Sequence, residues 1–86
     1  MKVSVELTLT PLQNDFEGPI IDFIKRLRRS KFTVLENLLS TQVYGSYREV
    51  MPFLQDEIGK TFETLDHVLI NIKVVKSDRS DYEPDF

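Results

Sequence analysis

The chain has 86 residues, with 14 acidic and 11 basic side chains, a formal net charge of −3 and no cysteine. This length predicts one domain with a modest hydrophobic core. The lack of cysteine excludes a disulfide scaffold, a thiolate zinc site and a cysteine nucleophile. The negative charge argues against nucleic acid as the main partner. No apolar segment has the length of a signal peptide or a membrane span, so we expect a cytoplasmic protein with no membrane partner.

The first predicted element is a strand at residues 3–10, in which apolar and polar side chains alternate. The odd-numbered residues point to one side and the even-numbered ones to the other: Val3, Val5, Leu7 and Leu9 against Ser4, Glu6, Thr8 and Thr10. This alternation is typical of a strand with one face in a core. Pro11 ends the strand, and a helix with a basic end is predicted at about residues 19–29.

Two short strands are predicted next, at residues 32–36 and 39–44, joined by a hairpin. Ser46 and Glu49 have the spacing of a capping box at the start of a second helix. Pro52 either kinks that helix or marks its true beginning, and a kinked helix is our prediction. Gly59 is expected to lie in close contact with the sheet. A strand at residues 68–75 follows, and residues 77–86 are predicted to form a flexible acidic tail.

The order strand, helix, strand, strand, helix, strand predicts the fold class. It is typical of an α+β, ferredoxin-like βαββαβ domain, here covering residues 1–76. The four-stranded antiparallel sheet has strands one and three at its centre and both helices on one face. The opposite face is expected to carry Glu6, Thr8, Asn71 and Lys73 in its middle, with Leu69 and Val75 at its ends. RNA-recognition domains have this topology too, but their central strands carry stacking aromatics instead of Glu6 and Thr8.

The sequence shows no catalytic or metal-binding motif. His67 is the single histidine, and no nucleophile is placed to work with it. The carboxylates have no metal-ligand spacing, and no glycine-rich phosphate loop is present. The basic cluster at residues 25–31 is interpreted as a solvated helix end rather than a phosphate site. We therefore expect no enzyme activity, no catalytic residue, no metal and no cofactor.

Glu6 is the first candidate for a binding role, because a carboxylate on a covered central strand needs a donor or a cation. Lys73 on a neighbouring strand is the alternative partner, in a simple surface ion pair. Tyr44 and Tyr47 flank Gly45 and are suited to stacking on a planar ring. Packing of these tyrosines at the core or rim is the alternative.

Three segments carry a resemblance to a known family. They are residues 5–12 (VELTLTPL), residues 40–51 (STQVYGSYREVM) and residues 70–74 (INIKV), which precede Asp78 and Arg79. These segments resemble the small thiamine-binding protein family of YkoF type, whose members bind hydroxymethylpyrimidine or thiamine. The resemblance covers nearly the whole chain up to Arg79. Ser40 stands where the family often has glycine, and Tyr44 where it often has an acidic residue.

The resemblance implies a ferredoxin-like module that binds thiamine or hydroxymethylpyrimidine without converting it. It also implies association through sheet faces into homodimers or homotetramers. By position, the ligand-binding residues that it implies, together with the candidates above, are Glu6, Thr8, Thr41, Tyr44, Gly45, Tyr47 and Asn71. The alternative is a protein–protein or regulatory module whose sheet face serves only self-association, with no small-molecule ligand.

Overall fold

The computed structural model describes residues 1–37 and 39–77. Of the predicted acidic tail, residues 78–86 lie outside the described residues. The elements in chain order are β1 (Lys2–Pro11), α1 (Glu17–Arg28), β2 (Thr33–Glu36), β3 (Thr41–Ser46), α2 (Tyr47–Thr64) and β4 (Val68–Val75). The predicted order of elements is therefore confirmed.

The four strands form one antiparallel sheet in the order β2-β3-β1-β4. The two central strands are β1 and β3, as the ferredoxin-like prediction requires. Glu6 on β1 lies opposite Gln42 of β3 on one side and opposite Lys73 of β4 on the other. Paired residues have side chains on the same face of a sheet, so these three side chains share one face.

The hydrophobic core lies between the sheet and the two helices. Its buried members come from β1 and β3, from α1 and from α2: Val3, Val5, Leu7, Val43, Phe23, Leu27, Val50 and Leu54. Both helices therefore pack on the face that carries Val5 and Val43, which confirms the predicted α+β fold. The other face of the sheet, called here the open face, carries Leu35, Gln42, Tyr44, Ser4, Glu6, Thr8, Leu69, Asn71, Lys73 and Val75.

An ion pair joins the two helices. The Arg26 guanidinium of α1 donates to the carboxylate of Glu57 on α2, and Glu57 is only 6% exposed. A second guanidinium nitrogen lies 3.3 Å from the Thr61 hydroxyl oxygen, to which it donates. Removing one partner of a buried pair destabilises a protein by about 3 kcal/mol or more, because a buried charge is left uncompensated. This contact links α1 to α2 beside the hydrophobic core.

The predicted capping box is wrong. Ser46 is the last residue of β3, pairs with Lys2 of β1, and makes no side-chain cap hydrogen bond to α2. Glu49 instead forms an ion pair with Lys31. The third strand also begins and ends two residues later than predicted, because its pairing with β1 extends through Gly45 and Ser46.

The second helix begins before Pro52. It runs from Tyr47 to Thr64 with Pro52 inside it, so the alternative in which Pro52 begins the helix is wrong. The expected close contact of Gly59 with the sheet is also wrong, because nothing lies within 4 Å of the position that a Cβ would occupy there. Gly59 therefore has room for a side chain.

Gly45 lies at a close approach of β3 to the residues around it. A Cβ built at this position would lie 2.8 Å from Cδ1 of Phe32 and 2.9 Å from Cγ2 of Val50. Both distances are shorter than ordinary van der Waals contact, and Val50 is fully buried. The glycine therefore serves packing at the sheet–helix boundary.

We predict that Gly45→Ala and Gly59→Ala change the free energy of unfolding in opposite directions. Overpacking against Phe32 and Val50 lowers the stability by about 1–3 kcal/mol in Gly45→Ala. The same change at Gly59, inside α2 and with no atom within 4 Å of the added Cβ, raises it by roughly 0.5–1 kcal/mol. Urea unfolding of both variants measures the effect. A neutral Gly45→Ala would contradict the tight contact.

Candidate functional site

Glu6 occupies the centre of the open face. Its Oε2 accepts a hydrogen bond from the Ser40 hydroxyl, with a distance of 3.1 Å between the two oxygens. Its Oε1 lies 3.7 Å from Nζ of Lys73, which is longer than a hydrogen bond. Ser40 thus orients one oxygen of the carboxylate. The other oxygen faces the Lys73 ammonium group, which is too far away for a hydrogen bond.

The alternative role of Glu6, an ion pair with Lys73, is therefore present in the structure. The Lys73 side chain is 80% exposed and that of Glu6 is 41% exposed. A pair as exposed as this contributes about 1 kcal/mol or less to stability. The ion pair therefore contributes little to the stability of the fold, and it leaves the Glu6 carboxylate accessible from the open face.

A shallow pocket of about 270 Å³ surrounds this carboxylate, and it is called here the Glu6 pocket. Its lining residues are Ser4, Val5, Glu6, Gln42, Lys73 and Val75. They supply a carboxylate, an amide, an ammonium group and apolar surface from Val75. Ligand pockets usually enclose about 300–1,000 Å³. The Glu6 pocket is therefore slightly smaller than a usual ligand pocket, and it is open on the side that faces away from the helices.

Three other predicted site residues share the open face with Glu6. Thr8 and Asn71 lie opposite each other on β1 and β4, next to the Glu6–Lys73 pair. Tyr44 lies two residues from Gln42 on β3, opposite Ser4, and only 9% of it is exposed. The structure therefore places these residues along one side of the sheet, as the sequence predicted for Thr8 and Asn71.

The remaining three predicted site residues do not share this face. Thr41 lies opposite Leu7, so its side chain is on the helix-covered face, where only 6% of it is exposed. Gly45 lies opposite Val3 and approaches Phe32 and Val50. Tyr47 is the first residue of α2 and is 40% exposed. The structure separates these positions from the Glu6 pocket.

Two side chains that the sequence interpretation did not select contact Glu6 or its partner. Ser40 donates to Glu6, and the Gln42 amide donates to the Ser40 hydroxyl, which forms a short chain of hydrogen bonds. The position of Gln42 could have been predicted from the alternation of β3. Val43 faces the core, so the side chain of its neighbour Gln42 must lie on the open face. Ser40 precedes the strand, and no periodic pattern reports its position.

The described residues lack two features that are typical of other classes of protein. Across residues 1–37 and 39–77, no group of three or more histidine and acidic side chains is placed to hold a metal ion. Neither helix in this part of the chain is long and apolar enough to cross a membrane.

Comparison with known proteins gives structural neighbours only. No protein-family model matches the chain, and no curated protein matches it. Solved structures with the same architecture include protein SP2199 from Streptococcus pneumoniae. It has 24% identity and a TM-score of 0.81, over 91% of this chain and 89% of that one.

The names of two further neighbours refer to a biological role or to a domain family. One, named as a candidate thiamine biosynthesis/salvage protein (TM0486) from Thermotoga maritima, has 15% identity and a TM-score of 0.78, covering 90% of this chain and 85% of that one. The other is a domain of unknown function, DUF77, from Bacillus cereus, with 12% identity and a TM-score of 0.74 over 99% and 85% of the two chains. The TM-scores show a shared fold. The name of the Thermotoga maritima neighbour refers to thiamine, in agreement with the family that the sequence resembles.

Proposed function

We propose that the chain is a non-enzymatic module that binds a small, flat, nitrogen-containing heterocycle on its open face. The observation that carries the proposal is the half-exposed Glu6 carboxylate, held by Ser40 at the centre of that face. Thiamine and hydroxymethylpyrimidine are the ligands we favour. The name of the Thermotoga maritima neighbour, which refers to thiamine, supports this choice.

The groups around Glu6 suit an aminopyrimidine. The amino group and ring nitrogens of such a ring need acceptors and donors in one plane, and the carboxylate of Glu6 and the amide of Gln42 supply both. Thr8 and Asn71 add further polar groups on the same face. The positive charge of a thiazolium ring is favoured next to a carboxylate, since opposite charges attract more strongly where water is excluded. We assign no role in the ligand site to Thr41, Gly45 or Tyr47.

A second copy of the chain is proposed to cover the open face. The Glu6 pocket is shallow, and a small ligand is normally buried over most of its surface. The open face also carries Leu35, Leu69 and Val75, each between 43% and 48% exposed. Pairing of two sheet faces buries these apolar side chains and encloses Glu6. We place this module in the cytoplasm.

The exposed apolar side chains also favour a second candidate function. In it, the open face serves self-association alone, as a protein–protein or regulatory module without a small-molecule ligand. Leu35, Leu69 and Val75 lie at the rim of the face and need no ligand to be buried in a dimer. Ligand binding separates the two functions.

We predict that thiamine or hydroxymethylpyrimidine raises the melting temperature of the protein. A ligand present at a hundred times its Kd stabilises the folded state by about 2.7 kcal/mol, which for a domain of this size is roughly 10 °C or more. Glu6→Gln removes a charged acceptor, weakens binding by about tenfold or more and lowers the rise by roughly half. Thermal-shift titration measures both effects.

Glu63→Gln is the matched control, because Glu63 is an exposed carboxylate on α2 and on the other side of the sheet. It is expected to leave the ligand-induced rise unchanged. If neither ligand shifts the melting temperature at high excess, the binding function is wrong and self-association is favoured. If the ligand-induced rise in melting temperature falls equally in both variants, Glu6 has no specific role in the ligand site.

We also predict that the protein sediments as a dimer or larger species at micromolar concentration. Leu35→Lys places a charge on the open face at the β2 edge and shifts the sedimentation toward the smaller species, since a buried unpaired charge is strongly unfavourable. Leu39→Lys serves as control, because Leu39 lies outside the strands and is 83% exposed. A monomeric parent protein would contradict the covering of Glu6.

A further inference from the structure

Lys73 is the second charged residue of the Glu6 pocket. It lies opposite Glu6 in the register of β1 and β4, and the other residues that line the pocket are uncharged. One carboxylate and one ammonium group give this pocket no formal net charge. The other residues that define the open face are uncharged too. A ligand beside Glu6 therefore interacts with one negative and one positive group.

The two oxygens of the Glu6 carboxylate have different surroundings. Oε2 accepts the hydrogen bond from Ser40, whereas Oε1 lies 3.7 Å from Nζ of Lys73. On the β3 side of Glu6, the amide of Gln42 donates to Ser40. Oε1 is too far from the Lys73 nitrogen for a hydrogen bond, so it has capacity for a donor from a ligand. Such a donor approaches the carboxylate on the side of the ammonium group.

The backbone keeps the charge of Lys73 close to this oxygen. Residues directly opposite each other in an antiparallel pair have Cβ atoms about 4.5–5.5 Å apart. The Lys73 side chain is exposed and flexible, but its attachment opposite Glu6 holds the ammonium group within about 10 Å of the carboxylate. That distance is the Debye length at roughly 0.1 M salt, so the two charges are not fully screened from each other or from a ligand between them.

A neutral aminopyrimidine and a cationic thiazolium ring respond differently to this pair of charges. The amino group of the neutral ring donates to Glu6, and the ammonium group of Lys73 can donate to a ring nitrogen. A cation is attracted by Glu6 but is repelled by Lys73, since both charges lie close to the same oxygen. The cation also loses hydration in the covered pocket, and a pocket without net charge does not offset that loss.

We propose that Lys73 sets the charge preference of the Glu6 pocket, so that a neutral aminopyrimidine such as hydroxymethylpyrimidine binds in preference to cationic thiamine. This inference rests on the proposed function and names the class of ligand that the same site selects. Cover by a second copy strengthens the preference, because attraction and repulsion between charges both increase where water is excluded. Lys73 is thus a specificity residue, although its exposed ion pair contributes little to stability.

The test compares thiamine with deazathiamine, a neutral analogue in which a thiophene ring replaces the thiazolium ring. The two ligands have nearly the same shape, so the ratio of their dissociation constants reports the effect of charge. Calorimetric titration at mildly alkaline pH, where the aminopyrimidine ring is uncharged, measures both constants. The parent protein is expected to bind deazathiamine more tightly. In Lys73→Met, the affinity for thiamine is expected to rise by about tenfold, because a like charge is removed, and that for deazathiamine to change little.

Two further variants separate the charge of Lys73 from its shape and from the net charge of the chain. Lys73→Arg keeps the positive charge and is expected to keep the ratio of the parent protein. Lys25→Met removes the same unit of charge from an exposed position on α1, on the other side of the sheet, and is expected to keep the ratio as well. Added salt is expected to weaken thiamine binding more in Lys73→Met than in the parent, because the attraction to Glu6 is then unbalanced and is screened.

The charge preference and the proposed function fail in different ways. If the ratio of the two dissociation constants is the same in the parent and in Lys73→Met, the role of Lys73 is overturned. An equal change of the ratio in Lys25→Met also overturns it, because the effect then comes from the net charge of the chain. In both cases the ligands bind and the proposed function stands. If neither ligand binds to the parent or to any variant, with all of them folded by circular dichroism, the proposed function is wrong and the charge preference is wrong with it.

Discussion

The position of β1 between two hydrogen-bonded neighbours is the constraint on which the structure depends. Its odd-numbered residues Val3, Val5 and Leu7 are almost fully buried under the helices. A slip of one residue in its pairing would move these side chains to the other face, so the core fixes the register. The same register fixes Glu6 at the centre of the open face, between Gln42 and Lys73. The strand register that buries the core side chains is therefore the same register that places Glu6 in the candidate site.

The sequence predicted best those elements in which the spacing of apolar residues shows directly which side chains are buried. β1 alternates strictly, and β4 was predicted at its observed bounds because Val68, Ile70, Ile72 and Val74 recur at every second position. The two helices were predicted from their apolar stripes, and the order of elements then led to the ferredoxin-like sheet. The open face with Glu6, Thr8, Asn71 and Lys73 followed from the parity of the strands.

The sequence indicated only in part which candidate residues lie together, because their relative positions depend on cross-strand register and on which of two partners a side chain takes. Thr41 was carried over from the family resemblance, yet it shares the parity of Val43 and therefore lies on the helix-covered face. Ser40 contacts Glu6 from outside any regular strand, so no periodicity indicates it. The capping box failed because the Glu49 carboxylate pairs with Lys31 instead. Local spacing cannot show which of two partners a side chain takes in the folded chain.

Two surfaces of the sheet lack helical cover, and both follow from the same geometry. Two helices cover one face of a four-stranded sheet, and here they are held together by Arg26 and Glu57 over the central strands. One whole face and the flank of β4 are therefore left without helical cover. The chemistry of the two surfaces differs: the open face has charged and polar groups at its centre, whereas the outer surface of β4 and the groove between β4 and α2 are apolar around Ile72. A polar, concave surface suits a hydrogen-bonding ligand, because its carboxylate, amide and ammonium groups can be satisfied by the polar atoms of that ligand.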